Sequence, residues 1–206
     1  MLVLGASGAA LAQNEGKPTC FFLECGPGDT TTPPPAIDLP PSRQAPTPAA
    51  ALPRPSMPGE QCTGQGFVTV CASSVLDPWR DVTYGPANMF DNKLDTAWVE
   101  GVDGTGNGER LIFEFDTEQM VEGISMLNGY HKSNDLFAKN GRITEIYLDT
   151  SDGQQLVAPI ADDPGEQVLY FDTPVRLKWL AIQISKAKAG TKYTDTAISE
   201  FRVLVK

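Results

Sequence analysis

Residues 90–98 read Phe-Asp-Asn-Lys-Leu-Asp-Thr-Ala-Trp, a stretch with neither helical nor strand periodicity that concentrates hard oxygen donors. Asp91, Asn92, Asp95 and Thr96 are residue types that build polar turns and offer calcium carboxylate, carbonyl and hydroxyl oxygens. The stretch follows a Tyr84-Gly85-Pro86 turn and ends on Trp98, either a core plug or a platform for a sugar ring. Two readings stand side by side: a calcium-binding loop that orders a binding face, or a polar turn capped by a buried Trp. A second stretch, residues 128–142, gathers Tyr130, His131, Lys132, Asn134 and Arg142. An aromatic face beside planar or charged hydrogen-bonding groups suits a saccharide, and Trp79, Trp98 and Tyr193 are further candidate platforms. The competing role is internal, with Trp98 and Tyr130 packed in the loops or core and Asn128, Asn140 and Arg142 holding the loop's own backbone.

Catalytic chemistry finds little support. Asp91 with Asp95 and Asp162 with Asp163 are carboxylate pairs, but 26 acidic residues make chance pairs expected. There is no G-x-S-x-G elbow, and the single histidine, His131, has no evident serine partner. One histidine also removes most imidazole-based zinc sites. Four cysteines fall in two close pairs, Cys20 with Cys25 and Cys62 with Cys71. An even count in an exported chain favours disulfides, and of three possible pairings the sequential one is expected. Zinc is the alternative use, but neither pair has C-x-x-C spacing.

The net charge of −10 argues against nucleic acid, whose phosphates require a basic patch, and against an anionic membrane surface. It suits solubility and attraction of divalent cations. The first residues, MLVLGASGAALAQ, resemble the back half of an export signal with an A-x-A site and no basic start. No stretch approaches the length of a membrane-spanning helix, so insertion in a membrane is not expected.

These residues must be positioned by a scaffold, and the chain divides into four parts. Residues 1–12 are the signal-like remnant, and residues 13–26 form a short cysteine-containing head too small for a core. Residues 27–59 carry eleven prolines and read as a semi-extended spacer. Residues 60–206 are the folded domain, which holds most of the negative charge: 13 Lys and Arg against 21 Asp and Glu from Thr69 onward. Its apolar pattern has period two almost throughout. Strands are expected at Val68–Ala72, Leu111–Phe115, Val121–Leu127, Ile143–Leu148, Leu156–Ile160, Val168–Phe171, Leu177–Ser185 and Phe201–Val205. A Ser151-Asp152-Gly153 hairpin turn joins the fourth to the fifth. No amphipathic helix exceeds a turn or two. The expected fold is all-β, an antiparallel jelly-roll β-sandwich, with long polar loops at residues 76–109, 128–142 and 186–200.

Five segments carry a family resemblance: CASSVL (71–76), YGPANMFDNKLDTAW (84–98), GNGERLIFEF (106–115), NGYHKSNDLFAKNGR (128–142) and TKYTDTAISEFRV (191–203). In this order and spacing the chain resembles the discoidin-like (coagulation factor 5/8 type C) domain of the streptococcal NAD glycohydrolase translocation type. That family is similar to family 32 carbohydrate-binding modules. The resemblance covers about residues 69–206 and excludes the head and spacer. It implies a galactose-binding-domain-like sandwich that binds glycans without catalysis, since the catalytic domain of such an enzyme has no counterpart here. It also implies a structural calcium where an Asp-Gly-x-x-x-Thr-x-Trp loop meets a Ser-Glu near the C-terminus. Asp91, Thr96 and Glu200 occupy the ligand positions, with Asn92 in place of the usual Gly. Asn tolerates left-handed geometry better than other non-glycine residues, so the turn is expected to survive. The expected function is non-catalytic binding of a cell-surface or wall glycan by an exported bacterial module, secreted or periplasmic. The candidate ligand-binding residues are Tyr130, His131, Lys132, Asn134, Arg142 and Tyr193. The alternative is a structural or protein–protein interaction module of the cell envelope.

Overall fold

The computed structural model of the protein describes residues 50–206; the Cys20–Cys25 pairing, the signal-like start and the head lie outside them. Strand β1 (Gln61–Gln65) and strand β2 (Val68–Ala72) form a hairpin in which Cys62 stands opposite Cys71, and the two are disulfide-bonded. Strands β3 (Trp98–Val99), β4 (Arg110–Asn128), β5 (Arg142–Thr150), β6 (Gln155–Pro159), β7 (Gln167–Lys188) and β8 (Ala197–Val205) complete the fold, and every ladder is antiparallel.

Two of these strands belong to both layers. The first half of β4 pairs with β2 and with the second half of β7, which continues through β5 to β6. The second half of β4 pairs with the first half of β7 and with β8, which carries β3 at its far edge. Register breaks between Glu114 and Gln119, and between Val121 and Gly123, mark the crossing. Bulges of this kind bend a strand and raise its twist, which lets one strand pass from sheet to sheet. The inner faces meet in one core, where Phe113 of the first layer stacks on Phe201 of the second with ring centres 4.5 Å apart. Trp98, Val70, Ile124, Met126, Ile146 and Leu180 fill out that core.

The all-β sandwich agrees with the sequence expectation, while four elements differ. Leu111–Phe115 and Val121–Leu127 are halves of β4, and Val168–Phe171 and Leu177–Ser185 are halves of β7. The strand β4 continues through the polar run at 116–119, where Asp116, Thr117 and Glu118 are exposed and Gln119 is half-buried. Strands β1 and β3 are additional. The first is almost wholly exposed and carries no apolar alternation, and the second is only two residues long.

The expected spacer also ends earlier than residue 59. The Leu52 amide donates to Ser151 O at 2.6 Å, and Trp179 Nε1 donates to Leu52 O at 2.7 Å. Met57 is buried with Cys71, Ile112, Trp179 and Ala181 on the outer face of the first layer. Residues 50–59 are therefore a strap on the sandwich, closed by an Arg54–Glu60 ion pair at 2.8 Å. Among the described residues no helix is long and apolar enough to cross a membrane. The one α-helix among the described residues, α1 (Asn134–Lys139), is N-capped by Ser133, whose Oγ accepts from the Leu136 amide at 3.1 Å.

Candidate functional site

The 90–98 stretch folds into a compact turn. Thr96 Oγ1 donates to both Asp91 carboxylate oxygens (2.8 and 3.0 Å), and the Lys93 amide donates to Asp91 Oδ1 at 2.9 Å. Asn92 has φ of 56°, the left-handed geometry at the position where the family pattern has Gly. Glu200, on β8, is buried, and its Oε1 has no hydrogen-bond partner. Its carboxyl is pushed above the ordinary range, first by burial and then by the Asp91 charge; the Lys93 amide, the Arg202 charge and the Asn92 amide oppose this. A buried carboxylate oxygen without a donor is costly unless something positive meets it. Two nearby carboxylates, a hydroxyl and loop carbonyls form a donor set suited to calcium. Trp98 is fully buried, with Nε1 donating to Ser74 O at 3.1 Å, so it is a core residue rather than a platform. The cluster of Glu60, Cys62 and Cys71 does not suit zinc, because both sulfurs are in the disulfide and a coordinating thiolate is required.

The three long loops converge on a cleft of about 560 Å³, within the roughly 300–1,000 Å³ range of ligand pockets. Trp79, Tyr84, Tyr130 and Tyr193 supply aromatic surface, and Asp77, Lys132, Asn140 and Asp195 supply polar groups. Trp79 is 60% exposed at the tip of a tight turn, where it exchanges backbone hydrogen bonds of 3.1 Å with Val82. Arg80 in that turn has φ of 55°, a geometry uncommon for a side chain of its size. Tyr130 lies deeper, its hydroxyl donating to Asp95 O at 3.0 Å. Burial raises the Tyr84 and Tyr130 phenols; Tyr193 adds to the first, and Tyr84 and Asp95 to the second, so the phenols stand within electrostatic reach of one another.

Backbone contacts make the walls rigid. The Gly141 amide donates to Asp195 O, Thr191 to Ala138 O and Tyr193 to Lys139 O, at 2.8–2.9 Å. The close approach depends on glycine. A Cβ at Gly141 would lie 2.4 Å from Thr194 O, and one at Gly190 2.1 Å from Lys139 O. Glu100, fully buried, joins the first loop to the start of β8: Oε2 accepts from Val102 N at 2.8 Å and Oε1 from Thr196 N at 3.1 Å. Burial raises its carboxyl; the Val102 and Thr196 amides lower it, and Asp195 and Glu109 add to the rise.

Of the six expected ligand-binding residues, Tyr130, Lys132 and Tyr193 line the cleft. The other three stand elsewhere. Arg142 is buried and spent on the protein itself, pairing with Asp162 (2.5 Å), donating to Phe137 O (2.6 Å) and Asn140 O (2.9 Å), and lying over the Phe137 ring. A guanidinium with this many partners is an internal brace for the loop, so its assignment to ligand is corrected. His131 Nε2 meets Asn128 O at 3.1 Å and its ring packs edge-on to Phe137. Asn134 opens α1 and does not line the cleft. Sequence reasoning passed over Asp77, Tyr84, Asp195 and Glu100. An acid directly after the buried Trp98-Val99 pair was the one available sign for Glu100.

A comparison with curated proteins finds no match. Among solved structures, the chain is similar to a family 32 carbohydrate-binding module of Clostridium perfringens NanJ, solved with galactose (17% identity, 70% of this chain and 98% of that one, TM-score 0.51). It is also similar to the C. perfringens module CpGH89CBM32-5, solved with GalNAc-β-1,3-galactose (18% identity, 70% and 99%, TM-score 0.52). At these identities the likeness establishes the sandwich fold. The sequence pattern of one family matches residues 61–204, from the first strand into the last, and spans both the Asp91 turn with Glu200 and the cleft. The chain belongs to the NAD glycohydrolase translocation F5/8 type C domain family.

Proposed function

We propose that the domain binds carbohydrate without catalysis, in the three-loop cleft, as an exported module that engages a cell-surface or wall glycan. The observation that carries this reading is the pairing of two exposed rings, Trp79 and Tyr193, with hydrogen-bonding groups around one preformed cleft. Flat apolar rings accept the C–H faces of a sugar, while phenols, amide and carboxylates meet its hydroxyls. Galactose and GalNAc-β-1,3-galactose in the two similar modules give the reading further support. The family's designation as a translocation domain favours a non-catalytic role, and the Cys62–Cys71 bond suits an oxidising compartment outside the cytoplasm.

Calcium in this reading is structural. Asp91, Thr96 and Glu200 would hold it, with loop carbonyls completing the shell, and its charge would neutralise two carboxylates that otherwise repel. The test is a glycan array with and without calcium, followed by calorimetry on wild type and Trp79→Ala. Binding that Trp79→Ala weakens at least tenfold is expected. Failure to bind any glycan under either condition overturns the reading.

A protein-interaction role is the second reading. Leu156, Val157, Val168 and Tyr170 are exposed, and the first, second and fourth line a groove of about 370 Å³ between β6 and the first half of β7. β6 ends its sheet and the first half of β7 pairs only with β4, and exposed apolar side chains at such edges favour a partner. Envelope-protein binding that survives Trp79→Ala but is lost with Val157→Asp would favour this role.

A further inference from the structure

We infer that the cleft selects sugars bearing a free ammonium group; this deepens the carbohydrate reading and rests on it. Four aromatic side chains line the cleft, and its two carboxylates, Asp77 and Asp195, form no ion pair among the described residues. Its single lining cation, Lys132, is exposed and also forms no ion pair among the described residues. The lining residues alone therefore sum to one negative charge; the two basic side chains at the rim, Arg80 and Lys192, are placed over the rings rather than on the carboxylates.

Aromatic faces are electronegative, and clefts that combine several of them with carboxylates recognise ammonium groups. The exposed rings already attract cations from this chain. The Arg80 guanidinium lies 4.3 Å from the Trp79 ring centre and Lys192 Nζ 4.9 Å from that of Tyr193. Asp195 is held in place by the loop, its carbonyl accepting from Gly141 at 2.9 Å and its neighbour Thr196 bonded to Glu100. Its carboxylate thus stays at the wall without an internal partner. A neutral sugar would use the rings but leave both carboxylates to water. An acidic sugar would meet two like charges. An amino sugar, protonated near neutral pH, satisfies rings and carboxylates together.

Chemical-shift titration of the full chain at pH 6.5 tests this, with galactosamine and glucosamine against their N-acetylated counterparts. The free amines should bind at least tenfold tighter, a difference of about 1.4 kcal/mol. Asp77→Asn and Asp195→Asn should each collapse that ratio, whereas Glu118→Gln, an exposed charge remote from the cleft residues, should preserve it. Equal binding of free and acetylated sugars overturns the inference. So does a ratio that falls equally with Glu118→Gln, which would mark diffuse charge attraction. An array that identifies only neutral glycans overturns the ammonium preference and leaves carbohydrate binding standing. An array with no binder overturns both.

Discussion

Asn92 and Asp162 show how single side chains hold the loops in place. Asn92 sits at φ of 56°, where a β-branched residue clashes and glycine does not. Asn92→Val should lower stability by about 1–2 kcal/mol and Asn92→Gly should be neutral or slightly stabilising, read from urea unfolding in EDTA. Asp162 accepts from Arg142 (2.5 Å) and Lys188 (2.7 Å), and these bonds pull its carboxyl down to about 2. The unfolded chain thus binds the proton more readily than the native one. The stabilisation is present above pH 3.8, the ordinary Asp value, and fades as pH falls towards 2. Asp162 is exposed, so solvent screening limits the effect to about 1 kcal/mol. Asp162→Asn should be destabilised by that amount at pH 7 in thermal or urea melts, with the gap to wild type closing below pH 3. Residue types alone made Tyr130, Lys132, Tyr193 and Arg142 candidates; the first three line the cleft, whereas Arg142 takes the internal role that the sequence also leaves open. An arginine beside an aromatic looks the same in sequence whether its partner is a sugar or Asp162 twenty residues on.

At the scale of elements, the sandwich was legible because alternation survives wherever one face meets the core. β5 alternates in burial from Ile146 to Thr150, and Val68, Val70 and Ala72, every second residue of β2, face the core. What escaped notice lacks an apolar signature. β1 is almost entirely exposed and is pinned by its disulfide instead. The strap at residues 50–59 reads as spacer because its prolines mask the one buried anchor, Met57. Two predictions belong here. Closing a short loop of about nine residues restricts the unfolded chain by about 2–3 kcal/mol, so reducing Cys62–Cys71 or replacing both residues with Ser should lower unfolding free energy by up to that amount. Met57→Ala should cost about 1–3 kcal/mol, because the methionine covers Trp179 and Ile112. Loss of the near-ultraviolet Trp signal with Met57→Ala would report the same contact.

Across the whole molecule, β8 ties the early loops to the end of the chain at two buried carboxylates. Glu100 receives the amide of Thr196, and Glu200 stands beside Asp91. Both carboxyls are raised above the ordinary glutamate value of 4.5, chiefly by burial. The native state therefore holds these protons more tightly than the unfolded chain. Their contribution is fully present below pH 4.5 and is lost as pH rises through the folded values. Calcium would reverse this trend at Glu200 alone, because it binds only the ionised carboxylate. In EDTA, melting temperature should decline from pH 5 to pH 7. With calcium at a hundredfold excess over its dissociation constant, about 2.7 kcal/mol should be gained at pH 7, a rise of roughly 5–10 °C, and far less at pH 4.5. Glu200→Gln should abolish the calcium response while leaving the part of the pH trend that belongs to Glu100. The cleft shares this end of the fold through Asp195, next to Thr196, so calorimetry should find sugar affinity higher with calcium than in EDTA. A melting curve that ignores calcium at every pH would remove the metal from the Asp91 turn and Glu200, leaving burial and the Asp91 charge as the causes that raise the Glu200 carboxyl.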